Sequence, residues 1–310
     1  MSQSSEQWRV EFDADVTFAN GGALQTQGFR LDASGPQISD AELGELFVRH
    51  LGLLMVGKVV ISNKQMLREA HKGSRGTAGA QAQPEAASGQ RIVDLSHVIR
   101  DGMVTFPGLP GPEIGEFISR EQSRERYAPG TEFSFSRISM LANAGTYVDS
   151  PFHRFADGDD LAAMQPSRLA DLDALVVRVV GAAERAIGRG VFLPYDVTGR
   201  AVLIHTGWDR HFGTDRYGHG HPFLTAEAAA WLVGQRPALV GIDSVNIDDA
   251  ADGTRPAHTA LLAAGIPIVE HLRGLEELPP YGFRFFAVPP AVQGMGSFPV
   301  RAYALVGEQR

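Results

Sequence analysis

Apolar and polar positions alternate almost from the start of the chain. Trp8-Arg-Val-Glu-Phe-Asp-Ala-Asp-Val-Thr-Phe18 places its apolar residues two apart, the period of a strand with one buried face. Asn20-Gly21-Gly22 is a hairpin signal, and residues 23–31 can return as a second strand. Ser39 followed by Glu42 reads as a capping box, and Leu43, Leu46, Phe47, Leu51 and Leu54 recur at helical spacing behind it. Residues 56–62 predict a third strand. Together these predict a small α+β unit over residues 1–71, with His50 expected on the helix surface or at its end. Residues 72–90 are rich in Gly, Ala, Ser and Gln and lack apolar periodicity, so they predict a flexible linker.

From residue 91 the pattern is that of a larger domain. Residues 92–99, 133–142, 172–180, 200–207, 238–243, 266–271, 283–288 and 300–306 predict strands, several as continuous apolar runs suited to burial on both faces. Asp101-Gly102 predicts a turn, and Phe106-Pro-Gly-Leu-Pro-Gly-Pro112 an irregular loop. Thr225 caps a predicted helix, and Gly265 ends a second that starts at His258. Many strands with few helices predict a β-rich α/β domain over residues 91–310.

Composition narrows the function. The chain has 310 residues, 44% of them hydrophobic and 21% charged, enough for a sizeable core. A net charge of -8 and no basic run with interleaved aromatics argue against a nucleic-acid surface. Cysteine is absent, which excludes disulfides and thiolate chemistry and suits a reducing cytoplasm, the expected location. The polar N-terminus does not resemble a signal peptide, and no apolar run is long enough to span a bilayer, so no membrane partner is expected.

Chemistry concentrates in Asn143-Ala-Gly-Thr-Tyr-Val-Asp-Ser-Pro-Phe-His153. A strand-like run leads into a small-residue turn and then presents an acid and a histidine. On these residues alone two readings stand: a functional rim, or a loop whose Asp149 caps amides and whose His153 is solvated. The stretch resembles the signature of the cyclase family, which includes bacterial kynurenine formamidase and isatin hydrolase and reads His-x-Gly-Thr-His-x-Asp-x-Pro-x-His. Gly145, Thr146, Asp149, Pro151 and His153 match it; Asn143 and Tyr147 stand where the family has its first two histidines. Further ordered matches, Asp94 to His97, Thr206 to Asp209, Val240 to Ser244, Pro256 to His258 and Gly265 to Glu270, extend the resemblance over roughly residues 91–310. It implies the family's swivelling β/β/α fold, preceded here by the small N-terminal unit.

The resemblance also implies roles. Asp149, His258 and Glu270 match retained metal-ligand positions, and His153 the position that moves a proton. Asn143 and Tyr147 replace two imidazoles with an amide and a phenol, both weak ligands for zinc or manganese. Two states of the site therefore stay open. One divalent ion is held by Asp149, His258 and Glu270, more weakly than in the family; or no cofactor is bound and the groups form a proton-sharing cluster. In either, Tyr147 and Asn143 are candidates to orient a carbonyl, Tyr147 also being readable as packing that fills the vacated space. His271 follows Glu270 on a strand and is expected to face away. His205, His211, His219 and His221 form a loose His-rich region, within which Gly218-His-Gly-His221 could suggest a metal but is expected to be a solvated polar turn. The expected function is hydrolysis, or the reverse ring closure, of a C–N or C–O bond in a small carbonyl compound such as a formamide, cyclic amide or lactone. The alternatives are a metal-independent cyclase or dehydratase, and a non-catalytic relative that binds a small molecule or partner. A homo-oligomer is expected by resemblance.

Overall fold

The computed structural model describes residues 7–19, 22–33, 37–69, 90–106 and 108–307. Asn20 and Gly21 of the expected hairpin turn, and nearly all of the expected linker, lie outside the described residues. The described residues form two compact units: one takes in those up to residue 69 with Phe192–Asp196, the other the remainder from Gln90 onward.

The first unit is a three-stranded antiparallel sheet under one helix. β1 (Gln7–Phe18) lies between β2 (Ala23–Ala33) and β3 (Val56–Glu69). Its alternation is realised: Val10, Phe12, Ala14, Val16 and Phe18 are buried on one face. α1 (Asp40–Leu51) packs Leu43, Phe47 and Leu51 inward, and Phe12, Phe29 and Phe47 meet edge to face. The capping box forms as expected, with Glu42 N–H 3.2 Å from Ser39 Oγ and Ser39 N–H 3.0 Å from the Glu42 carboxylate. Leu54, expected on the helix, lies beyond its end and is exposed.

The second unit carries a mixed nine-stranded sheet. In chain order its strands and helices are β4 (Arg91–Asp94), β5 (Glu113–Ile118), α2 (Arg120–Ser123), β6 (Phe135–Ser139), β7 (Tyr147–Asp149), β8 (Leu172–Arg178), β9 (Ala186–Ile187), β10 (Ala201–His205), β11 (Phe223–Leu224), α3 (Ala226–Gln235), β12 (Leu239–Ile242), α4 (Pro256–Ala263), β13 (Ile268–Glu270), β14 (Phe283–Phe286), β15 (Ser297–Pro299) and β16 (Tyr303–Val306). The sheet order is β15-β7-β13-β12-β10-β8-β14-β16-β4. Its centre, β8, β10, β12 and β13, is parallel, and these are the continuous apolar runs, buried on both faces. Antiparallel strands extend it on both sides.

The structure corrects one expectation that bears on the site. Residues 133–142 do not form the strand that enters the signature. Only β6 is a strand, and it pairs with β5 in a separate two-stranded ribbon. The sheet strand is β7, inside the signature, entered through Gly145 in the left-handed region (φ +67). The alternation in 133–142 belongs to a ribbon exposed on both faces, so it reports no buried side.

Replacing Ser39 with Ala removes the cap and is expected to cost about 1 kcal/mol. Amide exchange within residues 40–51 of the full chain should then speed up roughly fivefold.

Candidate functional site

Three residues of β7 set the site. In an antiparallel ladder, directly opposed residues share a face, and residues two apart on a strand do as well. Tyr147 opposes Glu270 on β13, and Asp149 opposes Ser297 on β15. The register therefore gathers Tyr147, Asp149, Glu270 and Ser297 on one face, all buried. Val148 and Val269 point the other way and join the main core with Val176, Leu203 and Phe285.

α4 packs on β13 and supplies His258. His258 Nε2 lies 3.6 Å from Asp149 Oδ2 and 3.6 Å from Glu270 Oε1. Its other ring nitrogen, Nδ1, is 2.7 Å from Asp248 Oδ2. Asp248 also accepts the backbone N–H groups of Ala257 (2.6 Å) and His258 (3.1 Å), so one carboxylate caps the helix start and orients the imidazole. Asp248 is absent from the sequence reading. Its role as a remote cap leaves no local signal, because the N-cap position itself is Arg255.

His153 stands in the 3-10 turn Pro151–His153 with its side chain partly exposed. Ser297 Oγ donates to Asp149 Oδ1 and lies 2.9 Å from His153 Nδ1. A hydroxyl has one proton, and a carboxylate can only accept. The proton of Ser297 goes to Asp149, so His153 Nδ1 carries an N–H that donates to Ser297 Oγ and turns Nε2 away from Ser297. Ser297 is a second residue the sequence did not reveal. It reaches the turn because Gly296 lets two backbones touch: a β-carbon there would sit 2.3 Å from His153 N.

Tyr147 donates its hydroxyl proton to Glu270 Oε2, while Glu270 Oε1 accepts Ile247 N–H at 2.6 Å. Burial, then the charges of Glu270 and Asp149, hold the phenol well above its usual pKa, with the Asn143 amide working weakly the other way. Tyr147 is thus a neutral donor committed to Glu270, and Asn143, whose side-chain amide hydrogen-bonds the phenol, lines the cavity wall. Burial also raises Glu270, against the lowering pull of His258 and with Asp149 adding to the rise. For His258 burial disfavours the charge, yet Glu270, Asp149 and Asp248 push it up to about 10.

The other histidines are set apart. His271 follows β13 in the left-handed region (φ +57), fully buried, with Nδ1 2.8 Å from the Tyr217 hydroxyl. His221 is buried rather than solvated, which corrects the expectation of a polar turn, while His219 is exposed. His205, buried at the end of β10, accepts a hydrogen bond at Nδ1 from Arg178 Nη1 at 2.8 Å.

The cyclase family model, described as a putative cyclase, matches residues 93–249. The chain belongs to the cyclase family. Kynurenine formamidase from Erythrobacter litoralis is 28% identical over 205 residues, 65% of this chain and 88% of the relative. Isatin hydrolase A from Labrenzia aggregata shares the fold with a TM-score of 0.61 at 22% identity, over 71% of this chain and 94% of its own. A protein described as a predicted metal-dependent hydrolase from Bacillus stearothermophilus aligns with a TM-score of 0.55 at 23% identity, over 70% and 98%.

Do the cyclase-family residues present here fit a metal ion? Asp149 Oδ2 is buried with no hydrogen-bond partner, an orphan acceptor of the kind a cation satisfies. His258, held through Nδ1 by a carboxylate, turns Nε2 toward it, the usual arrangement of a ligating imidazole. The 3.6 Å separations are too long for hydrogen bonds and close to the ~3.4 Å edge of a tetrahedron built on bonds of about 2.1 Å. Asp149, His153 and His258 offer ligand atoms all within 4.8 Å of one another. Glu270 faces His258 at 3.6 Å, with both of its oxygens also holding hydrogen bonds. The donor set fits one ion.

Asp248→Asn should lower the affinity for a divalent ion roughly 10- to 100-fold, read by competition with a chromogenic chelator. A pH effect follows from His97, which stacks on Phe212 at 3.6 Å. Burial, with Arg273 and Arg100 adding, holds it down to about 4. Its preference for the neutral form stabilises the fold above pH ~6.5, and that contribution is lost as pH falls from 6.5 toward 4. His97→Phe should therefore flatten the fall in melting temperature between pH 7 and pH 5.

Proposed function

We propose that this chain hydrolyses a C–N or C–O bond of a small carbonyl compound, a formamide, cyclic amide or lactone, or runs the reverse ring closure. The observation that carries the reading is His258, oriented by Asp248 and aimed between two buried carboxylates at the end of a cavity of about 510 Å³. Kynurenine formamidases among the relatives support the substrate class. In this reading one divalent ion takes Asp149 and His258, with Glu270 as the third ligand that the family pattern implies. When bound, such an ion polarises a carbonyl and lowers the pKa of water.

The chain's own side chains do the rest. His153, neutral and held by Ser297 at Nδ1, accepts a proton at Nε2 from the attacking water and returns it to the leaving nitrogen or oxygen. Asn143 donates to the substrate carbonyl from the cavity wall. Tyr147 holds Glu270 in place. Met103, Phe106, Leu109 and Leu141 line the cavity and exclude bulk water. A homo-oligomer would cover the ribbon β5–β6, whose Ile114, Phe117, Phe135 and Ile138 are exposed.

A second reading is favoured by one observation: Tyr147, where the family has an imidazole, gives its proton to Glu270. Such a cluster suits metal-independent cyclisation or dehydration by acid–base chemistry.

Metal analysis of chelator-washed and reloaded protein, with turnover of formanilides and cyclic amides, tests the first reading. About one equivalent of zinc or manganese and activity lost on chelation are expected. His153→Gln should keep the ion and lower kcat by roughly 100-fold or more, whereas Glu270→Gln should lose the ion. If His153→Gln loses the ion and Glu270→Gln does not, the two residues exchange roles. Full turnover in metal-free protein, abolished by Tyr147→Phe, selects the second reading.

A further inference from the structure

We propose that Arg255 and Arg154 form an anion subsite in this cavity, and that the substrate is an aromatic or apolar carbonyl compound bearing a carboxylate. The identity of the bond cleaved rests on the reading above; the binding of the anion does not.

The cavity's lining makes the case. In a chain of net charge -8, the lining contains no aspartate or glutamate. Asp149 and Glu270 lie behind it, fully buried. Its permanently charged groups are Arg154 and Arg255, and much of the remaining wall is apolar. Neither arginine has a carboxylate within 4 Å among the described residues, in contrast to Arg9, Arg30, Arg284 and Arg301. Asp252, on the same loop, gives its carboxylate to the Thr254 N–H at 2.9 Å and to the Thr254 hydroxyl, and feels Arg255 only as the weakest of the influences on its charge, without an ion-pair contact.

Both arginines line the same cavity as His153 and His258. Arg255 is the N-cap of α4, three residues before His258 in the chain. Its Nη1 is anchored 2.8 Å from the Asp249 carbonyl oxygen, which fixes the fork and leaves its other donors available. Arg255 also keeps a strained backbone, φ +50 and ψ +59, directly before Pro256. A residue with a β-carbon costs about 1 kcal/mol or more there, and a glycine would avoid that cost. Arg154 follows His153 and reaches α4 through Nε, 3.3 Å from Thr259 Oγ1. Two guanidiniums converging on one helix start match a planar carboxylate. A monoanion suits the place better than a phosphate dianion, because the buried acids Asp149, Asp248 and Glu270 repel added negative charge. The cavity volume fits one or two aromatic rings.

The test is calorimetric binding of naphthalene-1-carboxylate and of its neutral carboxamide to the full chain, with and without chelator. The carboxylate should bind more tightly than the amide, by roughly 10- to 100-fold. Arg255→Gln should cut that preference about tenfold, and the Arg154→Gln/Arg255→Gln pair should abolish it. Arg255→Lys should keep part of it. Amide affinity within about threefold of wild type in each variant shows that the cavity has kept its shape. An unchanged preference in the double variant overturns the proposal. So does a preference that disappears on chelation alone, which would place the carboxylate on an ion, and so does failure of both probes to bind. Arginine-dependent binding without turnover of any carboxylated amide would refute the hydrolase reading and leave the subsite standing; turnover indifferent to the arginines would do the reverse.

Discussion

The structure depends on the register of a three-residue strand. β7 sits between β13 and β15, and its alternation sends Tyr147 and Asp149 to one face and Val148 to the other. A slip of one residue would exchange them, driving a carboxylate into the hydrophobic core and a valine into the polar site. Either error costs several kcal/mol, since an unpaired buried charge is among the most expensive groups in a protein. The pairing that makes the fold and the pairing that makes the site are the same set of backbone hydrogen bonds. Glu270 and Ser297, over 120 residues from β7 in the chain, arrive beside it as ladder partners.

That register concentrates negative charge. Asp149, Asp248 and Glu270 are fully buried around one imidazole. Most of their oxygens are satisfied: Asp248 by the start of α4, Glu270 by Tyr147 and Ile247, one oxygen of Asp149 by Ser297. What is left is an orphan oxygen of Asp149 opposite His258 Nε2. A proton on His258 or a cation beside it relieves the same repulsion, so the two compete for one lone pair. The replacement of two family imidazoles works within this balance. A tyrosine gives a neutral donor to Glu270 where an imidazole would have given a ligand.

Much of the fold was legible. The strands of the parallel centre show as uninterrupted apolar runs, β1 as clean alternation, α1 as a capping box followed by helical spacing, and α3 through Thr225. The errors fall where local pattern and burial part company. β6 alternates but is exposed on both faces, so its pattern reports no core. β7 and β15 are three residues long, too short to carry a period, and both lie at the site. His221 looked like part of a polar turn because burial by distant residues leaves no trace in its neighbours.

By itself the sequence determined the ordered set of chemical groups, Asp149, His153, His258 and Glu270, together with the family pattern they match and the two positions where it is broken. Side-chain identity and spacing are local properties, and a chain states them directly. Only the tertiary structure decided which partners each group would have: Asp248 behind His258, Ser297 between Asp149 and His153, the Tyr147 proton on Glu270, and two arginines beside a cavity without acids. Hydrogen-bond direction and charge balance depend on atoms that the fold brings together, across ten residues for Asp248 and His258 and across 123 and 148 for the partners of Tyr147 and Asp149. Those meetings are set by strand register and helix packing, which no single stretch of sequence contains.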